Sequence, residues 1–157
     1  MRAVVLRMKR SKGEVLSHAM GDLFVLRRRT ELDELDPDVI VPVPMYWTRR
    51  LRRGANSPEI LARRIGRALR VTVEARLLAR RRNTLPQADL PPRKRFLNVR
   101  GAFRVRSGYD LEGCRVLLVD DILTTGATCS EAAKMLKQAG AKAVAAAVLA
   151  RAEGRKS

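Results

Sequence analysis

Apolar residues recur at helical spacing over residues 14–28, where Val15, Leu16, Ala19, Met20, Leu23, Phe24 and Val25 define one buried stripe. Before it, residues 3–8 read as the end of a helix and residues 9–13 as a basic turn. Residues 31–38 read as an acidic loop. Residues 39–43 then form a strand, and Pro42 and Pro44 put its end outside an extended ladder, which suits a strand terminating at a site. The next helix opens on Ser57 as cap with Pro58 at the first helical position, and Ile60, Leu61, Ile65, Ala68 and Leu69 supply its apolar face. Residues 71–73 and 77–80 are short extended pieces. Residues 83–99 are polar and interrupted by Pro86, Pro91 and Pro92, so they read as a long loop of the kind that carries function in a compact domain. Residues 101–105 resume strand character.

The most informative stretch is residues 115–139. Residues 116–119 are an uninterrupted apolar run, short enough for a strand buried on both faces, and Asp120 and Asp121 follow at its solvent-facing end. Thr124-Thr125-Gly126-Ala127-Thr128 then leads into a helical pattern that Gly140 terminates, and residues 144–149 give a last buried strand. This β-α-β order predicts a parallel pair with a right-handed crossover. Backbone N–H groups at such a helix start form a phosphate site, and Gly126 allows close approach. Carboxylates repel a bare phosphate, but a phosphorylated sugar resolves the conflict: the acids accept hydrogen bonds from sugar hydroxyls while the loop holds the phosphate. The plainer reading is a buried strand with solvated acids and a Ser/Thr cluster that caps a helix.

Composition changes the picture in one respect. The chain of 157 residues has 33 Lys and Arg against 16 Asp and Glu, a formal charge of +17, and residues 1–100 hold 24 of the basic residues but only 10 of the acidic ones. The arginine clusters at 27–29, 49–53, 80–82 and 93–95 suit a pyrophosphate, a nucleic acid, or merely solvated faces. An apolar fraction of 46% suffices for the core of one domain spanning 1–157, and no apolar run reaches membrane-spanning length. The N-terminus is broken by charge before a signal-peptide core forms, so a cytoplasmic protein is expected. Cys114 and Cys129 lack metal-ligand spacing and read as free thiols; His18, in a helical pattern, reads as structural.

The central stretch resembles the phosphoribosyl-pyrophosphate (PRPP) motif of type I phosphoribosyltransferases: four apolar residues, two acids, two variable residues, then Thr-Thr-Gly-x-Thr. Lys9 through Gly13, Val41-Pro42-Val43-Pro44, Arg52-Arg53-Gly54-Ala55-Asn56, Thr84-Leu85-Pro86-Gln87 and residues 95–103 together resemble the ComF-like family, over nearly the whole chain. That family's four-cysteine zinc ribbon is missing from the sequence, through loss in this lineage, a start codon set too far downstream or truncation. Ala55 and Ser57 stand where the family commonly has an aromatic and a glutamine.

The resemblance implies an α/β fold with a mainly parallel sheet flanked by helices, a flexible loop and a small hood. It implies Mg²⁺-dependent transfer of a phosphoribosyl group to an unknown nitrogen acceptor, with a link to competence and DNA uptake. A PRPP-sensing or nucleic-acid-binding protein is the alternative, and a homodimer is compatible with either. Asp120 and Asp121 would hold the ribose hydroxyls and contribute to Mg²⁺; Thr124, Thr125, Gly126, Ala127 and Thr128 would hold the 5′-phosphate. Met45, Tyr46, Arg49 and Arg50 would meet the pyrophosphate, and Gln87, Arg93, Arg95 and Asn98 would lie on the flexible loop. Thr124 replaces the aspartate that 6-oxopurine transferases commonly carry, which argues against hypoxanthine or guanine as acceptor.

Overall fold

The computed structural model describes residues 13–45, 56–85 and 90–151. Its elements, in chain order, are α1 (Gly13–Leu35), β1 (Val39–Pro42), α2 (Ser57–Leu69), β2 (Leu78–Arg80), α3 (Pro92–Val99), β3 (Phe103–Val105), β4 (Arg115–Leu123), α4 (Ala127–Gln138) and β5 (Ala143–Arg151). β4 lies between β1 and β5 and runs parallel to both, while β2 and β3 form a separate antiparallel pair. The apolar run of β4 explains its central place. Val116 and Leu118 pack with Val39 and Val41 of β1 against Ala132 and Leu136 of α4. Leu117 and Val119 pack on the other face with Ile40 against Leu61, Ala62 and Ile65 of α2 and Leu32 of α1. Residues 116–119 are therefore covered whichever way they point, as a central parallel strand between helical layers requires.

Three predicted loops or ends are drawn differently. α1 continues to Leu35 through a non-helical turn at Arg28 (φ −121°, ψ 19°), so residues 31–35 are helical rather than part of an acidic loop. Salt bridges Arg28–Glu31 at 2.8 Å and Arg29–Asp33 at 2.7 Å span successive turns there, and Leu32 is buried on the inner side. Residues 83–99 are not all loop, because Pro92 takes the first helical position of α3, where its missing N–H is no loss. At α2, Asn56 and not Ser57 is the cap residue; Ser57 is buried in the first turn and Asn56 Nδ2 donates to Glu59 Oε2 at 3.3 Å.

The smaller pieces follow the expected order. Residues 71–73 make only an isolated parallel bridge to β1, with Ile40 N–H donating to Thr72 O and Glu74 N–H to Ile40 O, both at 2.9 Å. β2 and β3 pair from Leu78–Val105 to Arg80–Phe103, and the Arg80 guanidinium lies 5.2 Å over the Phe103 ring. β5 is longer than predicted and is half-covered at the edge of the described sheet, with Ala143 and Ala146 exposed. The helix end and basic turn expected at residues 3–12 lie outside the described residues.

Candidate functional site

Parallel pairing brings the carboxyl ends of β1 and β4 together. Pro42 is in register with Val119, and Val43 N–H continues the ladder by donating to Val119 O at 2.8 Å. Half-buried Met45 therefore leaves the sheet on the same edge as the chain after β4, the edge where ligands gather in open α/β sheets. Asp120 and Asp121 are not beyond the strand in solvent, as the sequence suggested. They lie within β4 and are 9% and 8% exposed. β4 outruns its apolar core because β5 keeps pairing with it as far as Leu123–Arg151.

Burial of carboxylates requires partners. Asp120 Oδ1 accepts the Asp121 N–H at 2.8 Å, and Oδ2 accepts the Cys129 thiol at 3.8 Å. Burial pushes the Cys129 thiol up to about 12, helped by the negative charge and hydrogen bond of Asp120 and by the charge of Asp121. Cys129 thus stays a protonated donor rather than a reactive thiolate.

After Leu123 the chain turns through Thr124, Thr125 and Gly126 into α4. Gly126 is the cap residue in the left-handed region (φ 79°, ψ −2°), and lacking a side chain it makes no side-chain cap hydrogen bond. A Cβ on Gly126 would meet nothing nearer than Leu123 Cδ1 at 3.9 Å, so conformation and not crowding calls for glycine. The intrahelical ladder begins with Ser130 N–H donating to Gly126 O at 2.8 Å, which puts the amides of the first turn at the positive end of the helix. Thr125 Oγ1 is buried there with no hydrogen-bond partner among the described residues. A buried orphan hydroxyl beside a helix N-terminus suits a ligand oxygen.

Of the other predicted site residues, Tyr46, Arg49, Arg50 and Gln87 lie outside the described residues. Arg93, Arg95 and Asn98 sit on α3. Asn98 grips the Leu85 backbone twice, accepting its N–H at 3.1 Å and donating to its carbonyl at 3.0 Å, and Arg95 Nε donates to Leu90 O at 3.0 Å. Arg93 is exposed. The end of α3 is tied to α4 where Gly101 N–H donates to Glu131 Oε1 at 2.6 Å. His18 has the structural place expected of it, its Nδ1 accepting from Arg64 NH2 at 2.9 Å between α1 and α2. The site residue that sequence reading missed is Cys129. Its spacing of three and seven residues from Ala132 and Leu136, both sheet-facing, was the available signal.

Among the described residues no group of three or more His, Cys, Asp or Glu could enclose a metal ion. One of the adjacent carboxylates in β4 would fit an oxygen-seeking ion that takes most of its ligands from a bound phosphate or water.

A parallel sheet between helical layers, with adjacent acids in the last part of its central strand and a glycine turn into the next helix, defines an α/β protein whose candidate site lies at the carboxyl ends of its strands. Residues 19–157 match the phosphoribosyl transferase domain family, and the chain belongs to it. It is 34% identical over 145 residues to DNA utilization protein YhgH of Escherichia coli (strain K12), covering 90% of this chain and 63% of that protein. It is 35% identical over 117 residues to Competence protein F of Haemophilus influenzae, covering 74% of this chain and 51% of that protein. These relatives bear out the ComF-like resemblance, although the chain spans only about half to five-eighths of their length. The structure of a purine phosphoribosyltransferase from Pyrococcus horikoshii Ot3 shares the fold, with a TM-score of 0.56 at 23% identity over 84% of this chain and 73% of that one.

Proposed function

We propose that the chain binds PRPP at the carboxyl ends of β1 and β4 and transfers its phosphoribosyl group to a nitrogen acceptor. The observation that carries this reading is the run from buried Asp120 and Asp121 through left-handed Gly126 into the uncapped start of α4. Asp120 and Asp121 accept hydrogen bonds from the ribose hydroxyls, and the hydroxyls of Thr124, Thr125 and Thr128 with the amides of the first turn of α4 receive the 5′-phosphate. Met45 stands at the end of β1, and the family resemblance assigns contact with the pyrophosphate to it together with Tyr46, Arg49 and Arg50. Mg²⁺, if bound, would take Asp120 or Asp121 as its protein ligand and would supply neutralisation of the leaving group. The protein's own part is to hold the anomeric carbon in line with the acceptor and to exclude water around it. Thr124 offers no carboxylate for a purine proton, so the acceptor is sought outside the 6-oxopurines. Calorimetry with PRPP, with and without Mg²⁺, followed by assay of pyrophosphate release against a panel of bases and amines, tests the reading. Binding without release for every acceptor would leave a PRPP sensor instead of a transferase.

A second reading has its own support. Arg93 and Lys94 are exposed on α3 beside Phe96, 51% exposed, and Leu97, 69% exposed, and the relatives carry names for DNA utilization and competence. A cationic helix with an exposed aromatic suits a single-stranded nucleic acid. Binding to a short oligonucleotide that weakens steeply with salt and survives loss of Asp120 and Asp121 would favour it.

A further inference from the structure

We infer that Cys129 is a positioning residue, whose thiol fixes the Asp120 carboxylate in the orientation that meets the ribose; this rests on the PRPP reading. The Asp121 N–H meets one oxygen of Asp120 at 2.8 Å from within the same strand. The thiol at 3.8 Å anchors the other oxygen and comes from a different element, α4. Cys129 is also the third residue of that helix, so its amide belongs to the turn that receives the phosphate while its side chain reaches the acid. One residue thereby sets the distance between the two halves of the ligand site. Ala132 and Leu136, fully buried on the same helix face, hold α4 against β4 so that this distance does not drift.

The thiol is suited to the task. Cys129 is 8% exposed in an apolar setting, where a small, weakly polar donor costs less to bury than a hydroxyl. A role confined to packing would be met equally by valine or alanine; a role in orienting the carboxylate requires a donor.

The test uses the full chain in its wild-type form and as Cys129→Ser, Cys129→Val and Cys129→Ala, with PRPP and Mg²⁺ titrated by calorimetry and melting followed in parallel. Serine keeps a donor and should bind PRPP near the wild-type affinity, whereas valine and alanine should bind about tenfold more weakly, beyond anything their melting curves explain. Equal affinity in all four folded proteins overturns the inference and leaves the PRPP reading standing. A folded wild-type chain that does not bind PRPP overturns the PRPP reading, and the inference with it. An infrared measurement covers variants that fail to fold. In Cys114→Ser protein, where Cys129 is the remaining thiol of the chain's two, the S–H stretching band should shift when Asp120→Asn is added. A band indifferent to that change removes the thiol–carboxylate contact and the inference together.

Discussion

At the residue scale, charge, burial and backbone conformation combine at β4 and the turn after it. Gly126 has φ 79° with no close neighbour at its Cα, so Gly126→Ala should cost about 1–2 kcal/mol in denaturant melts, through left-handed backbone alone. Cys129 makes a different prediction. Its folded value of about 12 lies above the ordinary 9.0, so the neutral thiol adds stability that is complete below pH 9 and is lost as pH rises from there towards 12. Iodoacetamide at pH 8 should therefore label half-buried Cys114 and spare Cys129, as read by mass spectrometry; comparable labelling of both would contradict the buried contact. Asp38 shifts the other way. Arg115 holds it below the usual carboxylate range, first through its backbone N–H at 2.7 Å and then through its guanidinium. Its contribution is present above the unfolded value and fades as pH falls through the folded one. Asp38 is solvent-exposed, so 1 M salt should blunt the guanidinium share of that effect and spare the backbone hydrogen bond.

Among the elements, those whose inner face is apolar were legible in the sequence, although the stripe on α1 is narrower than expected: Leu16, Met20, Phe24 and Val25 pack on the core, whereas Val15, Ala19 and Leu23 are exposed. β4 announced itself by four consecutive apolar residues, and α4 by a glycine-containing turn followed by helical spacing. Residues 31–35 misled because acids crowd around the single buried Leu32, and the helix there rests on charge pairs rather than on an apolar stripe. α3 misled because its two prolines read as breakers, whereas one stands just before the helix and the other opens it. The length of β4 beyond Val119 was hidden because strand extent depends on the partner β5, which local composition does not report. Close packing was equally invisible. Gly66 sits on α2 where a Cβ would lie 2.4 Å from Val73 Cγ2 and 2.8 Å from Val71 O, so Gly66→Ala should destabilise by about 1–3 kcal/mol in chemical denaturation. An unchanged midpoint would mean that residues 71–73 do not press on α2. Asn98→Ala makes a local prediction: Leu85 N–H loses its acceptor and should exchange faster with deuterium, while amides of β4 keep their protection.

At the scale of the whole molecule, +17 charges on 157 residues must be reconciled with a site built around two buried acids. The described acids at the sheet end sit within a strongly positive molecule, which attracts a polyanion such as PRPP from a distance and lets short-range contacts select it. That attraction is indifferent to which polyanion arrives, so on the proposed PRPP reading the selection would fall on Asp120 and Asp121, whose carboxylates would reward sugar hydroxyls and repel a bare phosphate. The measurement that bears most directly on this account is calorimetric titration of PRPP with Mg²⁺ into the wild-type chain and into Asp120→Asn/Asp121→Asn, with inorganic pyrophosphate titrated alongside and folding checked by melting. Recognition of the ribose by these acids predicts that the folded double variant loses at least tenfold in PRPP affinity while its affinity for pyrophosphate falls little or rises. Equal PRPP affinity in the two proteins, or parallel losses for PRPP and pyrophosphate, would contradict it.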